Sequence, residues 1–239
     1  MKKEADILVI IPCYNEESCI QQVVNELIRV RNATNIPFDI LAINDCSTDR
    51  TKEVLETLDC QYLDLSINLG IGGAMHTGYR YAHKYQYQVA VQMDGDGQHP
   101  ARELPKLLKP ILDGRADVVI GSRFLNKEGF QSTALRRIGI TYFAWLNRLL
   151  IGKRIADSTS GFRAFNRRAI SIVNTYYPDE YPEPEAIVLF GHHKLTIVEV
   201  PVIMSERLGG VSSIRAWKSL YYMLKVSLGC FFTYIRLKF

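Results

Sequence analysis

The stretch from Val91 to Pro100, VQMDGDGQHP, brings together residue types whose spacing suits chemistry on a phosphorylated substrate. Asp94 and Asp96 are separated by one glycine, and Gly95 and Gly97 permit the tight turning that lets two carboxylates approach one hard cation. Mg²⁺ or Mn²⁺ held by one or two carboxylates keeps coordination positions for phosphate oxygens, so the pattern suits the departure of a diphosphate. A solvated Asp-Gly turn uses the same residues. His99 fits either a supporting hydrogen bond behind the metal loop or a simple turn before Pro100.

The elements that would position this turn are legible as an alternation. Ile7 to Ile11 is a β-branched run ended by Pro12, and Glu17 to Arg31 carries helical spacing at Ile20, Val23, Val24, Leu27 and Ile28. Strands are then expected at Phe38 to Ile43, Gln61 to Leu65, Gln88 to Gln92 and Asp117 to Ile120. Helices near Asp49 to Leu58, Gly72 to Lys84 and Arg102 to Leu112 separate them. This is a doubly wound α/β pattern with a mostly parallel, Rossmann-like sheet flanked by helices. The carboxyl ends of such strands share one rim, so IPCYNEE, INDCSTD, SINLGIGG and MDGDGQHP are expected to converge on one crevice.

The chemistry of those loops is compatible with one ligand. Pro12, Tyr14 and Glu16 offer a rigid turn, an aromatic surface and a carboxylate, while Asn44 and Asp45 offer acceptors for base N–H groups or ribose hydroxyls. Each also has a plainer use: Pro12 ends a strand, Tyr14 packs, and Asn44 to Asp49 forms an Asx turn before a helix. Gly70, Gly72 and Gly73 do not fit GxGxxG, because position 75 is methionine, and no Walker lysine follows. A dinucleotide oxidoreductase is therefore disfavoured, and these glycines serve either close packing or ligand contact.

Composition limits the remaining classes. The chain has 239 residues, 47% hydrophobic and 23% charged, which is ordinary for a globular protein. A formal charge of +4 gives no case for nucleic acid. The five cysteines form no CxxC pair and no zinc spacing, and their odd count argues for reduced thiols in the cytoplasm. The apolar run at Ile7 to Ile11 is too short for a signal-peptide core.

Taken together, IPCYNEE, NDCSTD, NLGIGGA, MDGDGQHP, GSRF and SGFRAF resemble family 2 glycosyltransferases with a GT-A fold, most closely polyprenyl-phosphate sugar transferases of the dolichol-phosphate mannosyltransferase type. The resemblance spans roughly Ile7 to Ser213. It implies that Pro12, Tyr14, Glu16, Asn44 and Asp45 hold the nucleotide sugar, with Asp94 also on the donor, and that Asp94, Asp96 and Gln98 serve the metal, Asp96 acting in catalysis. Relatives often carry two aspartates where this chain has Asn44-Asp45, so base recognition differs in detail. No QxxRW motif is present, which favours a single transfer over polymerisation. The expected layout is a GT-A domain over 1–213, with a nucleotide-sugar half at 1–120 and an acceptor half at 121–213, and an amphipathic helix over 214–239.

On the acceptor side, Arg123, Arg137, Arg163 and Arg207 offer planar donor forks that suit a phosphate, Arg123 and Arg207 being placed at the reacting groups by the resemblance. Arg136 and Arg137 are equally consistent with a solvated helix face. Glu183 and Glu185 suit orientation of acceptor or sugar, or a proline-spaced structural turn. The implied reaction is an inverting displacement in which a polyprenyl phosphate oxygen attacks a nucleoside diphosphate sugar; an anionic phosphate requires no strong general base. Transfer to a saccharide hydroxyl, which would need a carboxylate base, and a non-catalytic assembly subunit are the alternatives.

Arg215 to Phe239 contains no acidic residue, and Trp217, Leu220, Tyr221, Leu224, Leu228, Phe231 and Ile235 fall on one helical face beside Lys218, Lys225 and Arg236. The uncharged run from Val226 to Ile235 is far short of the roughly 20 residues that span a bilayer, so the helix is expected to lie on a membrane surface, at its cytoplasmic face, or to pack on the domain. A membrane protein or a second copy of the chain is a further partner consistent with such a face.

Overall fold

The computed structural model describes residues 3–126, 128, 134–180, 182–206 and 216–238. Strands β1 (Ile7–Cys13), β2 (Asp39–Asn44), β3 (Gln61–Asp64), β4 (Val89–Gln92), β5 (Val118–Ser122), β6 (Arg163–Asn166) and β7 (Ile197–Pro201) form one sheet in the order β3-β2-β1-β4-β6-β5-β7. All pairings are parallel except those of β6, which runs antiparallel to β4 and β5.

Every residue of β1 and β2 is buried, as expected where helices cover both faces of a parallel sheet. Alternation along β1 builds two cores. Ile7, Val9 and Ile11 meet Val23, Val24 and Leu27 of α1 (Ile20–Thr34), and Leu107 and Leu108 belong to the same core. Leu8 and Ile10 face the other way, into a core with Met75 and Tyr79 of α3 (Gly70–Lys84) and with Ile170 and Phe190. Helix α2 (Thr51–Glu56) joins β2 to β3, and α4 (Leu104–Leu112) carries Leu107 and Leu108. Ile170 and Phe190 lie on α6 (Arg167–Thr175) and α7 (Pro182–His192). A third layer forms where α5 (Ala134–Ile151) and α8 (Ala216–Lys238) pack over α7 through Phe143, Val188, Val226 and Cys230.

The expected alternation holds through β5, with boundaries moved by a few residues: the first helix begins at Ile20 rather than Glu17. The difference is β6. Its four residues, RAFN, are too short to show a clear alternation, yet they enter the sheet between β4 and β5. That insertion lays the Ser160–Arg163 segment beside the DGD turn. All five cysteines are free, and no helix among the described residues is long and apolar enough to cross a membrane.

Candidate active site

The four strand-end loops do meet. Asn15 and Glu16, after β1, donate backbone N–H groups to Ser47 Oγ (3.0 Å) and Thr51 Oγ1 (2.8 Å) of the loop after β2, and Thr48 N–H returns to Asn15 Oδ1 (2.8 Å). Asp45 N–H donates to the Cys13 carbonyl (2.9 Å), and Asp45 Oδ1 accepts from Leu69 N–H (2.7 Å), which ties in the loop after β3. Burial raises the Asp45 carboxyl pKa, and the Leu69 and Gly70 N–H groups oppose the rise. Tyr14 is exposed, Pro12 is buried in β1, and Glu16 is partly exposed. Asn44 is held between two neighbours: its amide donates to Asp64 Oδ1 (2.7 Å), bridging β2 and β3, and its oxygen accepts from Ser47 N–H (3.3 Å) of the loop after β2.

Within the glycine-rich segment, Gly72 serves close packing. Gly72 N–H donates to the Asp179 carbonyl (2.9 Å), and a Cβ at Gly72 would lie 2.0 Å from that oxygen. Only a residue without a side chain allows the start of α3 to approach the segment leading into α7 this closely.

The DGD turn sits directly on the end of β1. A Cβ at Gly95 would lie 3.2 Å from the Pro12 carbonyl and 3.5 Å from Cys13 Sγ, so the two aspartates flank the point where the turn crosses β1. Asp96 is buried and its Oδ1 accepts from Gln98 N–H (2.9 Å); Gly97 takes φ +79°, which the tight return to Gln98 requires. The Asp94 side chain remains 30% exposed. His99 is buried behind it, stacked on Phe162 with ring centroids 5.0 Å apart. Its Nδ1 accepts from Asp94 N–H (3.0 Å), and its Nε2 lies 3.7 Å from Asp94 Oδ2. Both ring nitrogens therefore address Asp94, the supporting arrangement and not the simple turn. Gln98 is partly exposed, and its carbonyl accepts from Ser205 N–H (3.0 Å).

The arginines divide. Arg123 is buried in a two-pronged pair with Asp157, Nε to Oδ2 at 2.8 Å and Nη2 to Oδ1 at 2.7 Å, and its own N–H also reaches Asp157. Although burial opposes the charge, these bonds to Asp157 hold the guanidinium pKa above its ordinary value, with Asp94 adding to the effect. Asp157 is anchored in turn, because Ala156 and Asp157 N–H groups donate to Glu199 (2.8 and 2.9 Å). Arg163, expected at the acceptor, is instead fully buried, with Nε on the Ser160 carbonyl (2.7 Å) and Nη2 on the Ser158 carbonyl (2.9 Å). Arg137 lies exposed on α5. Arg207 lies outside the described residues. Glu185, expected at acceptor or sugar, points to α8: its Oε1 accepts from Tyr176 (2.9 Å) and Thr233 (2.6 Å), a helix-to-helix tie away from the DGD turn. His192 and His193 are exposed, as expected.

Asp157, Glu199 and Phe162 are the supporting residues that sequence reasoning missed. Asp157 and Glu199 are acids 34 and 76 residues beyond Arg123 in the chain, and only the placing of β5 beside β6 and β7 brings them to it. The one available signal was the SGFR motif, which marked Phe162 without revealing the ring it supports.

Comparison with known proteins agrees with this geometry. A family model described as glycosyl transferase family 2 matches residues 8–172. The chain is 30% identical to the UDP-N-acetylglucosamine--dolichyl-phosphate N-acetylglucosaminyltransferase of Methanococcus voltae, over 93% of this chain and 96% of the relative. It is 32% identical to the undecaprenyl-phosphate mannosyltransferase of Micrococcus luteus, over 87% of each. Among solved structures, glucosyl-3-phosphoglycerate synthase from Mycobacterium tuberculosis, in complex with Mn²⁺, UDP and glucosyl-3-phosphoglycerate, superposes with a TM-score of 0.68 at 18% identity, covering 98% of this chain and 80% of that one. At that identity the likeness establishes the shared GT-A architecture.

Proposed function

The chain belongs to glycosyl transferase family 2, and from that premise we propose that it transfers a sugar, with inversion, from a nucleoside diphosphate sugar to a polyprenyl phosphate. The observation that carries the reading is the seating of the Asp94–Asp96 turn on the end of β1, beside the buried Asp45 and the partly exposed Glu16. Nucleoside and diphosphate then occupy adjacent stations on one rim. The curated relatives named for dolichyl and undecaprenyl phosphate support the acceptor class.

The donor set fits Mg²⁺ or Mn²⁺: two carboxylates on one turn, one of them partly open, with Gln98 alongside. Such an ion, when bound, neutralises the charge that grows on the departing diphosphate. The chain's own residues do the positioning. His99 fixes the backbone and carboxylate of Asp94, Gln98 N–H fixes Asp96, and the loop bonds around Asp45 shape the nucleoside wall. The acceptor phosphate attacks as an anion, so orientation and charge neutralisation carry the step without a base.

The outer faces of α5 and α8 support attachment to the cytoplasmic face of a membrane. Trp145 and Leu149 on α5 are 58% and 66% exposed, and Leu224, Leu228, Phe231 and Phe232 on α8 are about as open. Tyr142 joins the two helices, bonded to Ser227 at 2.9 Å and tilted against Trp145. Neither helix contains an acidic residue; Arg137 and Arg148 supply positive charge, while Lys225 pairs with Glu180 and Arg236 lies over the Tyr176 ring. An apolar surface flanked by basic residues suits anionic headgroups and brings the crevice to a lipid acceptor. The test is incubation with radiolabelled nucleotide sugars and undecaprenyl phosphate. Label extracted into the organic phase, dependent on Mg²⁺ or Mn²⁺, is the expected result; label released only as free sugar would oppose the reading.

A further inference from the structure

Glu16 is held through its backbone and through its side chain by different neighbours. Asn15 takes φ +57°, a left-handed turn that asparagine tolerates, and the next N–H, that of Glu16, donates to Thr51 Oγ1 (2.8 Å). The Glu16 carbonyl accepts from the N–H groups of Cys19 (3.1 Å) and Ile20 (3.0 Å) at the start of α1. These contacts fix the main chain and do not depend on which side chains stand at 16 and 19. A further one does: the Cys19 thiol donates to Glu16 Oε2, with sulfur and oxygen 3.0 Å apart.

That bond is unexpected at its position. Cys19 is the N-cap of α1, where Ser, Thr, Asp or Asn commonly accepts a hydrogen bond from the helix N–H groups. Cys19 makes no such bond; its side chain is buried and directed at the carboxylate. Cys13, equally buried on the same loop, donates instead to the Ile11 carbonyl of its own strand (3.4 Å). Burial, together with the Glu16 carboxylate, pushes the Cys19 thiol pKa up to about 12, so the sulfur keeps its proton and remains a donor. An ionised carboxylate only accepts, and the thiol proton matches it. A glutamate side chain has several rotatable bonds, and ordering them when a ligand arrives costs affinity. A neighbour that already holds one oxygen removes part of that cost. We propose that Cys19 is a positioning residue for donor binding: its thiol holds the Glu16 carboxylate in the orientation in which it meets the nucleoside, an inference that rests on the donor-site reading above.

The test measures binding of UDP and of GDP, each with Mn²⁺, by calorimetry. It compares the unaltered full-length protein with Cys19→Ala, Cys19→Ser, Glu16→Ala and the double variant Cys19→Ala/Glu16→Ala. Cys19→Ala is expected to weaken binding of the preferred nucleotide about fivefold, the scale of one lost hydrogen bond. Cys19→Ser, whose hydroxyl can still donate, should stay within about twofold of the unaltered protein. Once Glu16 is alanine, Cys19→Ala should have no further effect, because the two residues act as one unit. A cysteine that only packs would cause the same loss in both backgrounds. That result, no loss on Cys19→Ala, or a serine variant as weak as the alanine one would each overturn the proposal. If Cys19→Ala does not fold, Cys19→Val, which fills the space without a donor, is held to the same outcomes. Failure of the unaltered protein to bind either nucleotide would overturn the donor-site reading, and Glu16→Ala binding as tightly as its parent would take Glu16 out of that site; the proposal falls with either, and both results differ from a Cys19 variant that behaves like its parent.

Discussion

The two sides of the crevice use their charged groups in opposite ways. At the ends of β2 and β4, Asp45 and Asp96 are oriented by backbone N–H groups and Asp94 by His99, and Asp94 remains partly open. Along β5 and β6 the charges face inward: Arg123 is locked to Asp157, and Arg163 is fully buried on two carbonyls. The proposed roles differ accordingly: Asp94 and Asp96 are expected to be replaceable with little harm to the fold, whereas Arg123 and Arg163 are expected to support the wall of the crevice.

The largest effect expected on that contrast is at the metal turn. Asp96→Asn should lower turnover on the order of 10²–10³-fold, the scale of one lost electrostatic interaction in the transition state, with an unchanged thermal midpoint. Steady-state transfer assays and a melting curve on the same preparation check both halves. A variant that keeps its turnover would make this side structural as well.

Arg123→Ala probes the opposite side. It strands Asp157 as an unpaired buried charge, and a loss of about 3–5 kcal/mol in unfolding free energy is expected. Removing both partners together should cost less than the sum of the single losses, because the pair is in direct contact. Urea unfolding of the two single variants and the double variant measures this. Strictly additive losses would contradict a locked pair.

How much of this contrast was legible in the sequence depends on how local each signal is. The DGD turn and its three companion loops each follow a strand end, so periodicity and motif placed them correctly. Whether an arginine in a motif is offered or buried is set by partners far along the chain. GSRF and SGFR look alike as donor forks, but Asp157 closes one and the insertion of β6 buries the other. Glu183 and Glu185 are two positions apart, about 200° around a helix, and only the docking of α8 shows which of them is already engaged. The bond of Asn44 to Asp64 crosses from β2 to β3 and carries no local signal either.

Smaller effects sharpen the comparison at its edges. Gly72→Ala drives a methyl group toward the Asp179 carbonyl and should cost about 1–3 kcal/mol of stability, as overpacking does. It should also raise KM for the donor, because the start of α3 supports the loop that holds Asp45. A variant as stable as its parent would show that this approach can relax. On the outer face, replacing Phe231 and Phe232 together by serine should weaken binding to phosphatidylglycerol vesicles about tenfold. Nucleotide binding and the melting temperature should not change. Sedimentation with vesicles at low salt reads this, and unaltered binding would move the contact surface elsewhere.

The most direct measurement is the chemistry of the product. Undecaprenyl phosphate and an α-linked nucleotide sugar are incubated with the protein and Mn²⁺, and the lipid is characterised by mass and by the NMR coupling of its anomeric proton. The account predicts one phosphodiester per nucleoside diphosphate released, with the sugar in the β configuration. A lipid product in the α configuration, or nucleoside diphosphate released with free sugar and no lipid adduct, would contradict it.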